Sequence, residues 1–131
     1  MVAQERHALF NLIIALSALL IFATLIPILG PTKAQGAFGI LGISGFGPLF
    51  LMRRRGKVIA DERDQIINLR AMQASFAIFW VLFVAGMMAT YYIFQNRSTI
   101  SIAILPLVLW LGWATLLICH SSILLLLYRR S

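Results

Sequence analysis

The chain of 131 residues is 61% hydrophobic and only 11% charged, with a mean hydropathy of +0.93 and a formal net charge of +7. A soluble domain is nearer half apolar and a quarter charged, so too little polar surface is present to solvate a globule. The basic residues flank apolar runs, the pattern of a topology signal and not of a nucleic-acid footprint, and a single cysteine, Cys119, excludes an internal disulfide or a paired-cysteine redox motif.

Four apolar stretches, about 8–29, 36–52, 71–94 and 100–128, are separated by short polar gaps and one charged loop, 53–70. A helix needs ~20 apolar residues to cross the ~30 Å hydrocarbon core. The expected architecture is an all-α integral membrane four-helix bundle in a single domain, with both termini cytoplasmic. On that topology Arg6, Arg53, Arg54, Arg55, Lys57, Arg63, Arg70, Arg129 and Arg130 lie inside, and only Lys33 and Arg97 lie outside. Lys and Arg resist translocation, so this asymmetry sets the orientation.

The first stretch is too long for a signal-peptide core and has no good cleavage site. It reads as a span, ended at the outer face by Pro27 and the Gly30-Pro31 pair. The second is short and carries Gly36, Gly39, Gly42, Gly45 and Gly47 before Pro48. On an α-helix, a spacing of three turns each glycine back by about 60°. The glycines then wind around the helix, and the expectation is a short span closely approached by neighbours on two sides. The alternative is a hinged helix lining a pathway, with its kink at Gly47-Pro48.

The third helix is expected to start at Ala60–Asp61, capped by Asp61, and to run unbroken to Phe94. One face then carries Asp64, Ile67, Asn68, Ala71, Ala74, Ser75, Ala85, Gly86 and Ala89, and the opposite face carries Leu69, Gln73, Phe76, Trp80, Phe83, Met87, Tyr91 and Phe94. Small residues favour close packing, so the small face is expected to point into the bundle. The fourth span offers a matching stripe of Ser101, Val108, Gly112, Thr115, Cys119 and Ser122. Pro106 is a candidate kink. Trp110 and Trp113 lie too deep to be simple interfacial anchors, whereas Tyr91, Tyr92 and Tyr128 lie near the two membrane edges.

No Asp, Glu, Lys or Arg falls deep inside a span, whereas ion-coupled transporters commonly place a carboxylate there. Small multidrug transporters and fluoride channels resemble this chain only in size. The intramembrane polar residues are Asn11, Gln73 and His120, with Ser75, Ser121 and Ser122 in the same half. His120 fits a neutral histidine bonded between helices; as a metal, haem or proton ligand it lacks any ligand spacing. Ordinary interhelical hydrogen bonds account for the others. In the loop, Arg53, Arg54, Arg55 and Lys57 suit topology and anionic lipid headgroups. Asp61, Glu62, Arg63 and Asp64 suit a partner contact, local ion pairs being favoured over a metal. No catalytic constellation, cofactor motif or metal set is present, so no enzyme activity is expected.

Asp61-Glu62-Arg63 opening a helix, followed by Ile66, Ile67 and a membrane span, resembles a family of small prokaryotic membrane proteins of unknown function. Members of that family have four spans and a D-E-R motif in the cytoplasmic loop before the third. The resemblance implies this architecture and a prokaryotic plasma membrane, and no activity. Together these readings lead to a non-enzymatic accessory, regulatory or immunity-type subunit of a membrane complex, either a homo-oligomer or part of a larger assembly. The alternative is an oligomeric small channel or transporter built around the glycine-rich second span.

Overall fold

The computed structural model describes residues 3–46, 62–96, 99, 101–102 and 104–130. Helix α1 runs Ala3–Leu29 with Pro27 in its last turn. Gly30 then takes φ 76°, a left-handed value that only glycine adopts without strain. Its N–H donates to the Ile26 carbonyl at 2.9 Å, and its own carbonyl accepts from the Ala34 N–H at 3.0 Å. One residue thus closes α1 and opens the short helix α2, Pro31–Ala34. Pro31 stands at the first helical position, where a missing N–H costs no bond.

The chain continues from α2 as a 3-10 helix, Gln35–Phe46. This corrects the α-helical reading of the glycine period. A 3-10 helix has three residues per turn, so Gly36, Gly39, Gly42 and Gly45 fall in one column instead of winding around the axis. Side chains three apart eclipse in that geometry, and a column of glycines removes the crowding from one of its three faces. The column is exposed, and a Cβ added at any of the four would meet no described residue within 4 Å. The expected close neighbours on two sides are therefore not supplied by the described chain. The column through Phe38 and Leu41 is instead buried, against α1. Gly47 and Pro48, the proposed kink, lie outside the described residues.

Helix α3, Glu62–Phe94, is unbroken over 33 residues, or about 50 Å. Its expected cap, Asp61, lies outside the described residues. Helix α4 covers Ile104–Arg130. Pro106 falls in its first turn, where a missing N–H breaks no intrahelical bond, so the expected kink has no cause. Three helices, Gln4–Leu29, Glu62–Phe94 and Ile104–Arg130, are long and apolar enough to cross a membrane.

The 3-10 helix lies on α1 and touches α4, α1 lies on α4, and α3 packs on α4 as well. The α1–α4 seam follows steps of four and three along α1: Gln4, Ala8, Asn11, Ala15, Ala18, Phe22. The matching steps on α4 run Tyr128, Leu124, Ser121, Leu117, Ala114, Trp110. This is the heptad spacing of an antiparallel coiled coil. Its register is fixed at one end by a Gln4–Tyr128 hydrogen bond. At the other end Phe22 and Trp110 both pack on Phe38, with ring centroids 4.8 and 6.4 Å apart. Between them Ala15, Ala18 and Ala114 are fully buried. Lipid is as apolar as leucine, so small side chains that let backbones approach favour association here more than apolar bulk does.

The α3–α4 contact drifts. Near the charged end it uses Ile67, Ala71 and Ser75, all buried and all on the predicted small face. Farther along, Ala85 and Ala89 of that face are exposed, and Phe79 and Phe83 instead cover Gly112. The row Ala71, Ser75, Phe79, Phe83 steps by four. Each such step turns 40° around the helix, which carries the contact off the small face onto the aromatic one. The predicted α4 stripe does meet α3, with Val108, Gly112 and Thr115 lining a groove of about 200 Å³ opposite Phe79, Phe83 and Gly86. Of the two deep tryptophans, Trp110 packs on protein and Trp113 is exposed.

Candidate functional site

Where α1, α3 and α4 come together, Ala8, Ala71 and Leu124 form one buried cluster. Two polar groupings lie on either side of it. Toward the charged end, the Tyr128 hydroxyl of α4 is 2.8 Å from Asp64 Oδ1 of α3 and 2.9 Å from Gln4 Oε1 of α1. The hydroxyl has one proton, which goes to the carboxylate as the stronger acceptor. The Gln4 amide, rotated by half a turn, then presents its NH2 to the hydroxyl oxygen. One side chain so ties three helices, and Glu5 and Arg63 lie within electrostatic reach of it.

On the other side of the cluster are the buried polar side chains Asn11, Ser75 and Ser121. Asn11 Nδ2 lies 3.5 Å from His7 Nδ1, one turn back on α1. The Ser75 hydroxyl donates to the Met72 carbonyl at 3.0 Å. His120 is half-buried and lies within electrostatic reach of His7. No group of three or more His, Cys, Asp or Glu side chains able to hold a metal occurs among the described residues. Within them the site offers hydrogen-bonding groups, two imidazoles and the Asp64 carboxylate.

Residues 5–130 match the protein family described as Predicted membrane protein (DUF2178). The chain belongs to that family. No curated protein and no solved structure matches it. Of the charged residues singled out in this DUF2178 chain, Arg53, Arg54, Arg55, Lys57 and Asp61 lie outside the described residues. Glu62 and Arg63 are exposed on the first turn of α3. Asp64, grouped with them, is half-buried and accepts a hydrogen bond from Tyr128. Of the intramembrane polar residues, Asn11 is 7% exposed, His120 is half-buried, and Gln73 points away from the packed faces. Asn11 and Ser121 are thus brought onto one seam with Ser75 beside it, while Gln73 is not. Cys119 is a free, half-buried thiol.

Sequence reasoning missed Gln4 and His7 as parts of these groupings, and took Tyr128 for an interfacial anchor alone. The spacing of His7 and Asn11, four apart on one helix face, was the available signal for one of them.

Proposed function

We propose that this chain is a non-enzymatic subunit of a membrane assembly, crossing the bilayer four times with both termini cytoplasmic. Length supports the second crossing. Twelve 3-10 residues at ~2.0 Å rise carry Gln35–Phe46 roughly 24 Å, most of the ~30 Å hydrocarbon core, and the apolar sequence continues to residue 52. Wound as an α-helix, the same twelve residues would reach only about 18 Å. A crossing there returns the chain to the side of the N-terminus, as the distribution of Lys and Arg requires.

The observation that carries the assembly reading is the open glycine column of the 3-10 helix, at whose positions an added Cβ meets no atom of the described residues within 4 Å. A smooth, glycine-wide strip at bilayer depth admits a second helix to backbone contact distance. The assembly is a homo-oligomer or a complex with another membrane protein, in a prokaryotic plasma membrane. Crosslinking in native membranes, followed by purification in mild detergent, tests this. A crosslinked species lost in Gly39→Leu and Gly42→Leu supports the reading. A chain that is monomeric and partnerless in both settings refutes it.

A further inference from the structure

Asn11 and Ser121 are 7% and 0% exposed, and Asn11 Oδ1, Ser121 Oγ and His7 Nε2 are buried without a hydrogen-bond partner. The seam register, pinned by Gln4 with Tyr128 and by Ala8 with Leu124, sets Asn11 opposite Ser121. Ser75 comes to the same level, four residues along α3 from the buried Ala71. Polar groups buried in this way are nearly always partnered, by protein or by an ordered molecule.

The donors and acceptors select the guest. Asn11 Nδ2 lies 3.5 Å from His7 Nδ1; an amide NH2 can only donate there, and with the amide in that orientation we assign the ring proton to Nε2. The layer then offers one donor, His7 Nε2–H, one acceptor, Asn11 Oδ1, and one hydroxyl that serves as either. An alkali or transition-metal cation cannot accept from an N–H. A halide cannot donate to an amide oxygen. Water does both.

We propose that this layer is a binding site for an internal water molecule, which accepts from His7 Nε2–H and donates to Asn11 Oδ1 and Ser121 Oγ. The bound water bridges α1 to α4 at a level where the two helices have no direct polar contact of their own. The site is independent of the assembly reading, because it lies within one chain.

The test uses the full chain with ¹⁵N-labelled histidine in lipid nanodiscs, with His120→Gln to assign the signals. The expected result is a slowly exchanging His7 Nε2–H with a magnetisation-transfer peak to water. That peak is lost in the Asn11→Leu, Ser121→Ala double variant, whose helical content is retained. Should the double variant not fold, Ser121→Ala alone is expected to reduce the peak at least twofold. A His7 proton on Nδ1, no water peak in the unmodified chain, or a peak that survives in the folded variants overturns the proposal. So does a shift of the His7 signals on adding sodium or chloride, which assigns the site to an ion.

Discussion

Ala18→Leu should separate α1 from α4. Extended from Gln4–Tyr128, the seam register pairs Ala18 with Ala114; both are fully buried in one cluster. Leucine adds three carbons. In water, three buried methylene-sized groups would contribute about 2.4 kcal/mol of favourable transfer. In a bilayer that gain disappears, because the unassociated helix already sits in hydrocarbon. Only the steric cost remains, about 1–3 kcal/mol for overpacking a tight contact. Leu20→Ala, at a position 66% exposed toward lipid, should by the same reasoning cost less than ~0.5 kcal/mol. Adding Ala114→Gly to Ala18→Leu removes one opposing carbon and should recover part of the loss, with a coupling of at least ~0.5 kcal/mol. Reversible unfolding in mixed micelles measures the parent, these three variants and Ala114→Gly alone, which completes the cycle. If Ala18→Leu stays within ~0.5 kcal/mol of the parent, or if the Ala114→Gly cycle shows no coupling, the seam is not the close contact described.

Three further outcomes are expected. Tyr128→Phe removes the hydroxyl that joins Asp64 and Gln4. It should cost about 1–2 kcal/mol in the same unfolding assay, the low part of the range for bonds to a charged group, since the site is only partly buried. Gly30→Ala forces a Cβ into φ 76° and should destabilise by about 1–2 kcal/mol, although the added carbon meets no atom within 4 Å; an unchanged unfolding midpoint would contradict it. In a Cys119→Ser background, Lys33→Cys should label with an impermeant thiol reagent from outside intact cells and Arg130→Cys only after lysis, and the reverse pattern would refute the topology.

Much of the fold is legible in residue order because apolar length and the placement of Lys and Arg are local properties. The continuous α3 is such a case: its charged first turns and apolar remainder share one unbroken helical sequence. The α1 seam is not. That helix is apolar all round, and hydrophobicity does not distinguish its buried Ala15 and Ala18 from its exposed Ile13 and Leu20. Size is the signal in a membrane, and alanine stepping by three and four marks it. The glycines failed in another way. Their period of three was visible, but its meaning depends on residues per turn, which sequence does not carry. Asp64 fell on the correct stripe, while its bond to Tyr128, 64 residues away in sequence, depends on the antiparallel register of two helices. The drift of the α3–α4 contact onto Phe79 and Phe83 likewise follows from how two helices cross, a property of the pair.

The pitch of Gln35–Phe46 couples two quantities that are otherwise separate. Rewinding its twelve residues from 3-10 to α would shorten the segment by about 6 Å. It would also spread Gly36, Gly39, Gly42 and Gly45 over half the circumference, since each step of three would then fall back 60°. Span length and the existence of a continuous glycine surface are therefore one variable. On the proposed four-crossing topology, a bilayer thin enough to favour the shorter form would remove the strip proposed to receive a neighbouring helix, and a bilayer matched to the longer form would present it.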